Sequence, residues 1–152
     1  MKTWHVPPPL LFLLAYIAGE ILHYIAPVPL PRFISIRAGY GVGIVLLLAG
    51  IVLVVTSVAT FKAAKTTVIP YRRAVRLVTH GPYRATRNPM YVGATLIYLG
   101  VAALRLALWP VLLLPFVLVI LNYLVIPQEE SLLRETFGAE YERYCARVRR
   151  WL

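Results

Sequence analysis

Residues 38–61 read Ala-Gly-Tyr-Gly-Val-Gly-Ile-Val-Leu-Leu-Leu-Ala-Gly-Ile-Val-Leu-Val-Val-Thr-Ser-Val-Ala-Thr-Phe, without one charge. That length decides the fold class. A helix that crosses the hydrocarbon of a bilayer needs about 20 apolar residues, and an uninterrupted run like this is too long for a strand. Three other stretches share the pattern, at 10–26, 89–105 and 108–126. The first is short and carries Glu20 and His23. It lacks a basic region beyond Lys2 and a small-residue cleavage site, so it reads as a helix rather than a signal peptide. The last two are separated by a few residues around Arg105 and predict an antiparallel hairpin. The expected fold is all-α, a polytopic membrane protein with about four transmembrane helices in a single domain, 1–152. The polar mass is then a loop, 62–88, and a tail, 127–152.

Composition agrees. The 152 residues are 60% hydrophobic and 14% charged, with a mean hydropathy of +0.73, whereas a soluble domain is roughly 45–50% apolar and about 25% charged. Such an apolar chain is not intrinsically disordered. Cys145 is the only cysteine, which excludes a disulfide scaffold. Sixteen Lys and Arg against six acids, all Glu, give +10. In a soluble protein this charge points to nucleic acid. Here it reflects orientation in the membrane and attraction to an anionic lipid surface, and no nucleic-acid partner is expected. Lys2, seven basic residues of 62–87 and five of the tail place thirteen cations on one side, against Arg32, Arg37 and Arg105 on the other. Both termini and the central loop are therefore expected on the cytoplasmic side.

Leu133, Phe137, Tyr141, Tyr144, Val148 and Trp151 recur in the tail at helical spacing. Gly138 is expected to divide it into a short helix and a longer one. The half from Tyr141 to Trp151 reads as a helix on the membrane surface.

The densest polar stretch precedes the third span. Asn88 suits a helix N-cap and Pro89 the first helical position. The third helix then presents free N–H groups and its positive dipole end to the interface, beside the planar donor fork of Arg87. Tyr91, one turn on, reaches the same place. Glu129 and Glu130 follow the fourth span directly, where paired carboxylates are costly without partners. Because the third and fourth spans form a hairpin, these acids should lie near Arg87 and Tyr91. Such an interfacial cleft suits a zwitterionic ligand with a carboxylate and an ammonium group, including one with a further cationic centre.

Taken in order, Leu77-Val-Thr-His-Gly-Pro-Tyr83, Arg87-Asn-Pro-Met-Tyr-Val-Gly93, Glu129-Glu130 and Phe137-Gly-Ala-Glu-Tyr141 with Tyr144 resemble the isoprenylcysteine carboxyl methyltransferase family. The phospholipid N-methyltransferases share its Arg-x-Pro and Glu-Glu signature. The resemblance covers about 66–152 and is nearest to small prokaryotic-type members. It implies an integral membrane enzyme, of the prokaryotic cytoplasmic membrane, that uses S-adenosylmethionine. It implies cofactor contacts at Arg76, Leu77, Val78, His80, Tyr83, Asn88, Pro89, Met90 and Tyr91. Glu129 is then expected on the methionine amino group or the ribose hydroxyls, and Arg87 and Glu130 nearest the methyl transfer. The acceptor is a lipophilic or lipid molecule: an isoprenylcysteine-like carboxylate, a phospholipid amine or a small thiol.

The chain departs from the pattern in two places. The enzyme of prenylated protein termini has His where this chain has Asn88. Its substrate-binding arginine corresponds here to Val125. The alternative is a non-catalytic four-helix membrane protein that binds anionic lipid or a protein partner. Gly39 and Gly43 form a G-x-x-x-G for close packing inside the bundle or in a homodimer. No metal-ligand pattern, phosphate loop or nucleophile elbow is present. Alternating strands and helices of a soluble Rossmann-type methyltransferase are absent as well.

Overall fold

The computed structural model describes residues 6–31, 35–64 and 76–152, all helix, turn or loop. Lys2, Arg32, Lys65, Arg72 and Arg73, which carry part of the charge asymmetry, lie outside the described residues. The helices are α1 (Pro8–Ile25), α2 (Ile36–Ala63), α3 (Pro89–Leu104), α4 (Leu108–Ile120), α5 (Ile126–Phe137) and α6 (Ala139–Cys145). Among the described residues, three helical stretches are long and apolar enough to cross a membrane: α1, α2 and the continuous run Leu108–Phe137. The shorter α3 is equally apolar in character. The chain is an integral membrane protein built of helices.

Helix lengths position the site. With 28 residues, α2 extends about 42 Å at 1.5 Å per residue, well beyond a hydrocarbon core of about 30 Å. Its end carries Thr60 and Phe61 to the loop before α3. There Phe61 stacks edge-on against Tyr83, with ring centroids 5.1 Å apart.

Glycines bring α2 and α3 into close contact. Gly43 and Gly50 on α2 oppose Gly100 and Gly93 on α3. A Cβ at Gly50 would sit 2.7 Å from the Gly93 carbonyl oxygen, and one at Gly100 would sit 2.6 Å from the Leu47 nitrogen. In a bilayer, where lipid tails compete for apolar surface, such close backbone approach is a main source of helix association. Gly39 faces Leu106 and Gly43 faces Leu104, so the G-x-x-x-G is used inside the chain. On the other flank, α1 packs on α4, where a Cβ at Gly19 would meet the Pro110 backbone at 2.7 Å. Phe12, Tyr98, Leu114, Val117, Leu121, Val125 and Ile126 form the buried core between α1, α3 and α4.

The fourth span does not end at 126 as expected. It passes through a widened π turn, Leu121–Val125, straight into α5. Pro127 supplies the reason: it has no N–H, and its ring crowds the carbonyl one turn back. The Ile126 N–H bonds instead to the Leu121 carbonyl, five residues earlier. The helix continues, and the Asn122 carbonyl is freed from its usual partner.

The tail also differs from expectation. Gly138 does break it, at φ 49°, but the first piece is the longer, with 12 residues in α5 against 7 in α6. After α6 the chain leaves the helix because its carbonyls serve another segment. The Arg87 N–H donates to the Arg149 carbonyl at 2.9 Å, and Thr86 and Asn88 both donate to the Arg150 carbonyl. Tyr141 and Tyr144 are not spread on a membrane surface but face inward, at 1% and 4% exposure.

Candidate functional site

A cavity of about 760 Å³ lies between α1, α2, α3, the loop before α3 and the tail. Eleven of the twelve residues singled out from sequence line it: Arg76, Leu77, Val78, Tyr83, Arg87, Asn88, Pro89, Met90, Tyr91, Glu129 and Glu130. His80 does not; it is exposed at the start of the short 3-10 turn Gly81–Arg84.

The charged end is built around Glu130, a residue 5% exposed. Arg150 grips both of its oxygens, Nε to Oε1 at 3.0 Å and Nη2 to Oε2 at 2.7 Å. Arg87 approaches Oε1 at 3.2 Å, and Arg134, one turn along α5, approaches Oε2 at 3.7 Å. Three guanidiniums thus converge on one buried carboxyl group. Arg87 also donates to the Cys145 sulfur. Its Nε is buried and has no hydrogen-bond partner among the described residues. Glu129, on the neighbouring position, accepts from the Tyr91 hydroxyl at 2.7 Å. As the hairpin requires, Glu129 and Glu130 meet Tyr91 and Arg87.

Asn88 occupies the N-cap position of α3, but its side chain does not cap the helix. It is drawn instead to the Arg150 carbonyl at 2.9 Å, and Thr86 accepts the Asn88 N–H at 3.2 Å.

Three tyrosines close the charged end. Tyr144 donates its hydroxyl to the Tyr83 carbonyl at 2.7 Å, and the rings of Tyr141 and Tyr144 stand 6.2 Å apart. Burial holds the phenols of Tyr83, Tyr141 and Tyr144 above the ordinary phenol range, so all three remain neutral donors. Sequence reasoning placed Tyr141 and Tyr144 on a helix stripe but not in the site. Their signal was the three-residue spacing on the tail's apolar stripe.

The other end of the cavity is apolar. α1 contributes Pro8, Phe12, Leu13 and Tyr16, and α3 contributes Ala94, Ile97 and Val101. None of the α1 residues was legible as a site residue, because they carry no chemistry of their own. Glu20, noted as an intramembrane acid, accepts from Tyr16 at 2.8 Å and pairs with Arg105 at 3.4 Å. It therefore fixes a cavity-lining ring without lining the cavity itself.

The family model for phospholipid methyltransferase matches residues 38–140, and the chain belongs to that family. A probable protein-S-isoprenylcysteine O-methyltransferase of Oryza sativa subsp. indica is 35% identical over 111 residues, covering 70% of this chain and 57% of its own. The protein-S-isoprenylcysteine O-methyltransferase B of Arabidopsis thaliana is 30% identical over 110 residues, covering 70% and 55%. The chain thus spans little more than half the length of the curated relatives it matches. These relatives are plant proteins and lend no support to the expected prokaryotic source. No solved structure gives a significant match.

Proposed function

We propose that the chain transfers a methyl group from S-adenosylmethionine to an isoprenylcysteine-like carboxylate, with the charged end of the cavity at the cytoplasmic interface. One observation carries this reading: one cavity joins the buried Glu130 and the arginines around it to an apolar slot between α1 and α3. The matched relatives are named for the same chemistry.

The residues fit the cofactor. Glu129 offers a carboxylate to its ammonium or ribose hydroxyls. Leu77, Val78 and Tyr83 offer apolar surface to its adenine. S-adenosylmethionine supplies the methyl on a sulfonium sulfur, and in-line displacement by the acceptor oxygen breaks that C–S bond and leaves a neutral thioether. The protein's part is positioning and exclusion of water. Tyr91 orients Glu129. Arg87 brings an unpartnered buried N–H, which suits a carboxylate oxygen of the acceptor. Tyr83, Tyr141 and Tyr144 keep the site dry.

Acceptor chemistry follows from proton accounting. An ammonium group must lose a proton before it attacks, and so must a thiol; a carboxylate need not. Both oxygens of Glu130 are already engaged by arginines. His80 is exposed outside the cavity.

Calorimetric titration of the detergent-purified chain with S-adenosylmethionine and S-adenosylhomocysteine, beside Glu129→Ala, tests the reading. Saturable binding that the variant loses is the expected result. No binding to folded wild type overturns it and favours a lipid-binding or partner-binding membrane protein.

A further inference from the structure

The π turn at Leu121–Val125 lies outside the cavity, yet it is wired to the cavity's charged end. Asn122 Oδ1 accepts from Arg150 Nη1 at 3.2 Å and from the Trp151 indole N–H at 3.0 Å. Its carbonyl, released by the π turn, accepts from the same Arg150 Nη1 at 3.4 Å. Residues 149–151 thus form a strap pinned at Asn122. The strap holds Arg87 from two directions. The Arg149 carbonyl fixes its backbone N–H. The Arg150 fork fixes Glu130, which faces the Arg87 guanidinium.

We propose that Asn122 is a positioning residue for methyl transfer, acting through the strap to keep Arg87 available to the acceptor. The inference rests on the function proposed above. Its physical basis is competition for one carboxylate. Glu130 has two oxygens, and the Arg150 fork engages both. Arg87 is left with one longer contact to Glu130, a bond to the Cys145 sulfur and an Nε with no partner among the described residues. If the Arg150 fork swings away, Arg87 becomes the nearest cation able to take both oxygens. A bidentate Arg87–Glu130 pair would turn the guanidinium from the cavity into the protein. Thr86 and Asn88 hold the Arg150 backbone, while Asn122 holds its guanidinium, which is itself partly exposed. The π turn thus has a use. An unbroken α-helix would engage the Asn122 carbonyl internally and leave the strap one acceptor fewer.

The test uses the full chain in detergent with S-farnesyl-N-acetylcysteine as acceptor, comparing wild type, Asn122→Ala and Asn122→Asp. Asn122→Ala is expected to raise KM for the acceptor about tenfold, the scale of one lost hydrogen bond from a charged donor. S-adenosylhomocysteine affinity and the unfolding temperature should stay near wild type. Asn122→Asp keeps an acceptor oxygen for both donors and should restore KM. Hydrogen exchange at the Arg87 amide reads the strap without turnover: Asn122→Ala should expose it and Asn122→Asp should not. Equal kinetics and equal protection in Asn122→Ala and wild type overturn the proposal. So does a parallel fall in cofactor affinity, acceptor KM and unfolding temperature, which marks a merely structural residue. A wild type that binds no S-adenosylhomocysteine and methylates nothing refutes the proposed function instead, and exchange then still decides whether Asn122 holds Arg87.

Discussion

The two faces of α3 are built on opposite terms. Toward α2, Gly93 and Gly100 allow backbone to lie against backbone, with no room for a Cβ. Away from it, Met90, Tyr91, Ala94 and Val101 border a cavity of about 760 Å³. One helix thus serves as both seam and wall. The comparison teaches that the open face depends on the closed one. A cavity has no contacts across it to hold its walls apart, so α3 must be fixed from behind. The charged end is held differently again, by ion pairs and by the strap of residues 149–151 rather than by packing.

Breaking the charged end should have the largest effect. Glu130→Ala leaves Arg87 and Arg150 partly buried without a counter-charge. Loss of one partner from a buried ion cluster costs about 3–5 kcal/mol. Methyl transfer should fall below detection, and thermal unfolding in detergent should begin well below that of wild type. Breaking the seam comes second. Gly100→Ala puts a methyl against the Leu47 nitrogen and the Gly43 carbonyl; both are backbone, so the helices must part. Overpacking of this kind costs about 1–3 kcal/mol, read as a lowered unfolding temperature with transfer lost in proportion to the folded fraction.

Tyr91→Phe sharpens the contrast, because it deletes one hydroxyl on the open face and leaves the seam intact. It removes the bond that orients the Glu129 carboxyl group, so S-adenosylhomocysteine should bind about fivefold more weakly by calorimetry, with unfolding little changed. The smallest effect belongs to Gly41→Ala, on the outer face of α2, where nothing lies within 4 Å of the added methyl. Stability should hold or rise by up to about 1 kcal/mol through helix propensity. A loss there as large as that of Gly100→Ala would mean that α2 has a second packing partner.

Much of the site was legible because its residues are chemically costly where they stand. Adjacent acids at a membrane boundary and an arginine before a proline-started helix need partners, and the short hairpin between the third and fourth spans limits where those partners are. Arg150 was read only as one of the tail's charges. Its contact with Glu130 spans 20 residues of sequence and depends on the tail folding back. Phe12 and Tyr16 were invisible for a different reason. An apolar residue on a membrane helix reads the same whether it faces lipid, core or cavity.

By itself, then, the sequence determined the all-helical membrane class, the hairpin and the meeting of Glu129 and Glu130 with Tyr91 and Arg87. These follow from local rules: the length of apolar runs, the scarcity of charge within them and the shortness of one connection. Tertiary structure decided which face of α3 is seam and which is cavity, and that α4 runs on through a π turn into α5. It also drew Asn88 away from capping, and pinned residues 149–151 across the loop before α3. Those outcomes rest on competition among distant groups for the same carbonyl, carboxylate or backbone space, and no local pattern records which competitor wins.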